Sequence, residues 1–113
     1  MPEPKTVIAI YRVQADKEAE FMKLLEKHHP ALLGVGLATA TPPTVYRNVD
    51  PKGRPTYFEI FDWVNEAAPQ RAHELPEVMA IWEPMGALVE ERDGQPKFEF
   101  PHVDQVELSS QGA

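Results

Sequence analysis

Imidazole ordinarily changes charge near neutral pH, so the four histidines are the first places to look for chemistry. His73 is the strongest candidate base. It stands at the predicted end of a short helix, Glu66 to His73, where it could take a proton from a bound compound. The competing reading is a helix-end histidine hydrogen-bonded to backbone. Glu59 sits between Tyr57 and Phe61 on the aromatic side of a predicted strand. A carboxylate desolvated there is a second candidate base. Its alternative is an ion pair with Arg12 or Arg54 across a seam between subunits. His28 lies on the apolar stripe of a helix, as a core histidine with a satisfied hydrogen bond would. His28 and His29 point about 100° apart on that helix, a poor arrangement for sharing a metal. His102 follows Pro101 and could approach a pocket from the last strand or from a partner subunit. No histidine pair or His–carboxylate cluster has metal-ligand spacing. With no cysteine, thiolate catalysis and thiolate metal sites are excluded. Gly34-Val35-Gly36 lacks the strand–turn–helix setting of a phosphate loop. Neither a metal nor any other cofactor is expected.

The elements that must position these groups are readable. Lys5 to Val13 is apolar at nearly every position and predicts a central strand buried on both faces. Asp16 is the expected N-cap of a helix reaching Leu33, with Phe21, Leu24, Leu25, His28 and Leu32 on one stripe, a kink at Pro30 and a stop at Gly34 and Gly36. Thr44 to Val49 and Thr56 to Val64 flank Asp50-Pro-Lys-Gly-Arg-Pro55 and predict a hairpin. If Val49 pairs with Thr56, then Val45, Arg47, Val49, Phe58, Ile60, Asp62 and Val64 share the face under the helices. Tyr46, Asn48, Tyr57, Glu59, Phe61 and Trp63 would then form an aromatic and polar wall toward a partner or ligand. Leu75, Val78, Met79, Trp82, Met85 and Val89 predict a helix running on toward Arg92, kinked near Pro84. Lys97 to Leu108 predicts an edge strand, or one broken at Pro101, whose later residues reach a second subunit. The tail Ser109 to Ala113 is expected to be loose. This order, β-α-β-β-α-β, is the ferredoxin-like split-βαβ plan: a four-stranded antiparallel sheet with both helices on one face.

A chain of 113 residues has room for one domain, 1–113. Its net charge of −7 and scattered basic residues argue against nucleic acid as a partner. No stretch reaches the roughly 18 apolar residues of a membrane span, and no signal sequence is visible, so a cytoplasmic location is expected. Twelve prolines, about twice the usual share of roughly 5%, fall mostly at element boundaries and punctuate a folded domain.

Trp63-Val64-Asn65-Glu66-Ala67, Ala72-His73, Leu75-Pro76-Glu77-Val78 and Ile81-Trp82 together resemble the antibiotic-biosynthesis-monooxygenase-like group of dimeric α+β barrel proteins. By element order the resemblance runs from Lys5 to Val106. It implies a homodimer formed through the bare sheet faces. The activity it implies is cofactor-independent oxygenation of a small apolar aromatic of quinol or polyketide type. Such a reaction needs a substrate that forms its own carbanion, a base, and a dry pocket. His73 would be the base, and Tyr57, Trp63, Trp82 and Met85 would hold the substrate. Arg47 or Asn48 would stabilise an enolate or phenolate oxygen. The group's haem degraders carry an Asn on the first strand; Tyr11 and Arg12 stand there in this chain, which disfavours haem. Two rivals remain. One is a non-catalytic module that binds a small hydrophobic molecule or another protein. The other is an isomerase or lyase working through Glu59 without oxygen. An open cavity touching His73 and a second polar group would favour an enzyme; one plugged by Trp82 and Met85 would favour the module.

Overall fold

Thr6, Val7, Ile8 and Ile10 favour extended backbone, and they form β1 (Lys5–Arg12) in the computed structural model, which describes residues 3–108. The tail from Ser109 lies outside the described residues. A 3₁₀ turn, Ala15–Lys17, leads into α1 (Glu18–Gly34). Asp16 lies inside that turn, and neither flanking cap position makes a side-chain cap bond, contrary to its expected role. Pro30 lies inside α1, and Gly36, with φ of 77°, takes the left-handed conformation just past its end. There follow β2 (Thr44–Val49), β3 (Pro55–Trp63), α2 (Ala68–Ala72), α3 (Pro76–Gly86), β4 (Phe98–Glu99) and β5 (His102–Val103).

The sheet runs β2–β3–β1–β4, with β5 also on β1 and every pairing antiparallel. This is the split-βαβ order in an α+β domain. Proline splits the last strand as its chemistry requires: Pro101 has no N–H to give, but its carbonyl accepts from the Ile8 amide at 3.0 Å.

The hairpin register corrects the predicted faces. Val49 pairs with Pro55, one residue short of Thr56, and Arg47 pairs with Tyr57. Val45, Arg47 and Val49 keep the predicted side, but β3 turns over. Tyr57, Glu59, Phe61 and Trp63 are buried together with Val7, Ala9 and Tyr11 of β1, facing the helices. Phe58, Ile60 and Asp62 point to the bare side, where Ile8 and Ile10 are only half-buried. The bulky aromatics have gone where α1 and α3 can cover them, with Phe21, Leu25, Val78, Ile81 and Met85 opposite. The second helical region is also shorter than predicted. α3 stops at Gly86, and Val89 joins the sheet side through an isolated bridge to Val13.

Candidate active site

Alternation along β1 and β3 aims Tyr11, Phe61 and Trp63 at the helices. α3 contributes Met79, Trp82, Glu83 and Met85, α2 and its end contribute Pro69 and His73, and α1 contributes His28. Phe98, Phe100 and His102 close the remaining side from β4 and β5. Between them is an open cleft of about 260 Å³ with overwhelmingly apolar walls.

Beneath it runs a chain of buried polar groups. Glu59 has no solvent exposure, and its Oε1 accepts from the Tyr11 hydroxyl at 2.9 Å. The same oxygen lies 2.8 Å from His28 Nδ1. The Trp82 indole donates to His28 Nε2 at 2.8 Å. Indole can only donate, so Nε2 is the accepting nitrogen and Nδ1 carries the proton given to Glu59. Among the described residues Glu59 Oε2 has no partner. Burial, reinforced by the neighbouring Glu59 carboxylate, pushes the Tyr11 phenol well above its ordinary range. Tyr11 therefore remains a donor.

His73 is exposed at the cleft wall. Its Nδ1 donates to the Pro69 carbonyl at 2.9 Å, and its ring meets Trp82 edge-on with centroids 4.8 Å apart. The backbone bond puts the proton of the neutral ring on Nδ1 and leaves a lone pair on Nε2. The helix-end hydrogen bond and the capacity to act as a base thus coexist.

Of the residues predicted for the site, His73, Trp63, Trp82 and Met85 meet at the cleft. Glu59 does not line it and reaches it only through its bonds to His28 and Tyr11. Arg12 bonds Glu99 and Arg54 bonds Asp50 and Asp93, so neither is its ion-pair partner. Tyr57, Arg47 and Asn48 lie elsewhere. The Arg47 guanidinium forks onto Glu18 at 2.7 and 3.1 Å, and the Tyr57 hydroxyl donates to the same carboxylate at 2.8 Å. The Arg47 bond, helped by Tyr57 and opposed by burial, holds the Glu18 carboxyl below its ordinary value. Asn48 pairs with Thr56 on the exposed strand β2. The sequence reading missed Tyr11, Phe98 and Phe100, and took His28 for core alone. The period-2 alternation of β1 was a usable signal for Tyr11, which shares a face with Ala9 and Val7. Among the described residues no group of three or more metal-ligating side chains is arranged to hold an ion. Among the described residues no helix is long and apolar enough to cross a membrane.

The fold is that of the antibiotic-biosynthesis-monooxygenase proteins, an open antiparallel sheet with helices on one face. A conserved protein from Methanosarcina mazei superposes with a TM-score of 0.65 at 16% identity, over 92% of this chain and 94% of that one. SnoaB, a cofactor-independent oxygenase from Streptomyces nogalater, superposes with a TM-score of 0.64 at 14% identity, over 96% and 99%. A provisionally named antibiotic biosynthesis monooxygenase from Nitrosomonas europaea gives 0.67 at 8% identity, over 94% and 93%. No protein-family model and no curated protein matches the sequence.

Proposed function

We propose that this protein is a small oxygenase-type enzyme that acts, without metal or flavin, on a flat apolar compound of quinol or polyketide type. The observation that carries this reading is an open apolar cleft walled by Trp63, Trp82 and Met85 and bordered by His73, which holds a lone pair on Nε2. The cleft touches His28, Glu83 and His102 besides His73, and Trp82 and Met85 line it without filling it, which favours catalysis over a plugged binding module. The name of SnoaB adds support for the same chemistry on this fold.

In the proposed reaction His73 Nε2 removes a proton from a carbon or hydroxyl of the bound compound. The aromatic walls exclude water and let the resulting anion delocalise over its own rings. The electron-rich anion reduces dioxygen, the peroxide formed on carbon loses water, and a methylene becomes a carbonyl. The predicted oxyanion partners, Arg47 and Asn48, lie outside the cleft, and Tyr57 lies outside it too, so none of them enters this scheme.

We further infer that two copies pair through their bare sheet faces. Ile8, Ile10, Phe58 and Ile60 form an apolar patch there, half-buried in the single chain. A cytoplasmic setting belongs to the same proposal.

The test is oxygen uptake with a panel of hydroquinones and anthrones. Turnover with at least one is expected, and His73→Gln should lower kcat by about 10²- to 10⁴-fold, the usual contribution of a general base. Conversion of a substrate without oxygen consumption would instead support an isomerase or lyase. Binding without conversion of any compound would support the module.

A further inference from the structure

In the scheme above Trp82 serves only as a cleft wall and His28, Glu59 and Tyr11 move no proton, yet the chain Trp82–His28–Glu59–Tyr11 has the components of a proton acceptor. His28 is only 2% exposed and still borders the cleft. Behind it Glu59 fixes the tautomer and would stabilise an imidazolium, as a carboxylate does for any paired catalytic histidine. In front, the third position is taken by the Trp82 N–H, which is not acidic enough to yield its proton. The basicity of Nε2 is therefore occupied but unused.

We propose that His28 and Glu59 form a second proton acceptor beneath the cleft, capped by Trp82, which a ligand engages by putting an acidic hydroxyl where the indole N–H now lies. The ligand class is a phenol or enol. This rests on reading the cleft as a site for flat aromatic compounds, but it needs no oxygen chemistry. The proton passes from the ligand oxygen to Nε2, the oxygen keeps the electron pair as a phenolate, and the Nδ1 proton of the new imidazolium stays on the ring and goes on being donated to Glu59. His28 would be catalytic in the sense of touching the ligand, and Glu59 a positioning residue.

Three observations converge on this. Glu59 Oε2 is buried without a partner among the described residues, so the carboxylate gains when its neighbour becomes a cation. Tyr11, held protonated, goes on donating to Oε1 and cannot compete for the ligand's proton. Trp82 is half-buried and lines the cleft, its ring meeting His73 and Trp63 edge-on at 4.8 and 6.4 Å, so a ligand in the cleft lies against the indole that caps Nε2. The titratable groups facing His28 are Glu59 from β3 and Tyr11 from β1. Glu83 of α3, His73 beyond α2 and His102 of β5 border the same cleft.

The probe is 4-nitrophenol, whose phenolate is coloured, mixed with protein under nitrogen and titrated with pH. The phenolate band should appear on the protein at a pH where the free compound is still largely un-ionised. Trp82→Phe removes the cap and should tighten 4-nitrophenol binding about tenfold, or about 1.4 kcal/mol, with no gain for 4-nitroanisole, which lacks the hydroxyl. Glu59→Gln and His28→Gln should keep the ligand but lose the shifted band. An unchanged band in either variant overturns the proposal, as does equal tightening of phenol and anisole by Trp82→Phe. If His28→Gln fails to fold, Glu59→Gln and Trp82→Phe still decide. Oxygen uptake plays no part in this readout, so an inactive oxygenase would leave a positive result standing. An absent band would leave the oxygenase reading to His73 alone.

Discussion

Tyr11 and Glu18 show how the surroundings of one side chain set its behaviour with pH. Burial and the adjacent Glu59 raise the Tyr11 phenol above its ordinary value of 10.0. Its contribution to stability is therefore full below that value and is lost as pH rises through the folded value, because only the unfolded chain ionises readily there. Alkaline titration should show the Tyr11 phenolate, isolated as the difference between wild type and Tyr11→Phe, appearing together with loss of ellipticity. A phenolate signal well before unfolding would contradict this. Glu18 has the opposite sign. Arg47 and Tyr57 lower its carboxyl below 4.5, so it stabilises the fold above that pH and the benefit fades as pH falls through the folded value. Glu18→Gln should therefore lower the urea midpoint at neutral pH, by less than about 1 kcal/mol for so accessible a pair, and the difference should vanish in acid. The same residues mark the limit of sequence reading at this scale. Trp82 and Met85 share one helical stripe, but the predicted strand faces set Trp63 away from the helices, and only the family resemblance grouped these three with His73. His28 and Glu59 are 31 residues apart and on different element types, and nothing in their spacing announces a 2.8 Å bond.

Every α-helix and strand was legible, but not the 3₁₀ turn at Ala15–Lys17 nor every boundary or face, and Arg92 illustrates why. It was predicted to close a long helix, where a cation suits the negative end. Instead the helix stops at Gly86, and Arg92 is buried. It donates to the carbonyls of Val13 and Pro55, to Thr56 Oγ1 and to Glu90. It thus joins the end of β1, the start of β3 and the segment after α3. Four partners separated so widely in sequence outweigh a few tenths of a kcal/mol of helix-end electrostatics, and only the tertiary fold supplies them. Arg92→Met keeps much of the volume but orphans the buried Val13 carbonyl, leaves the Pro55 carbonyl with the Val13 amide alone, and takes a donor from Thr56 Oγ1 and from the half-exposed Glu90 carboxylate. It should cost about 2–4 kcal/mol, read as a lower urea midpoint with an unchanged m-value. The inverted face of β3 has a related cause. A single-residue change of hairpin register exchanges a strand's two sides, and both sides of this strand carry large apolar residues. The asymmetry that decided the outcome is the extra bulk of Tyr57, Phe61 and Trp63 over Phe58 and Ile60, which fits the space beneath α1 and α3.

At the scale of the molecule the consequence of that choice is a sheet with one covered and one uncovered side. The covered side holds the cleft. The uncovered side presents Ile8, Ile10, Phe58 and Ile60, flanked by Tyr46, which is 60% exposed. Burying apolar area is worth roughly 25 cal/mol per Å², and a protein carrying a net charge of −7 stays dispersed unless such a surface overcomes the repulsion. The two faces are separate, so the predicted pairing and the cleft can be tested independently. Ile60→Lys places an ammonium in the middle of the patch and changes nothing on the helix side. Light scattering should give twice the chain mass for wild type and the single-chain mass for Ile60→Lys, with far-UV circular dichroism retained. Raising the salt concentration should strengthen the wild-type pair, because screening weakens repulsion between two acidic chains while leaving apolar contact intact. A wild type that remains a single chain at micromolar concentration, at low and high salt alike, would leave the apolar patch to some other partner and remove the homodimer from the proposal.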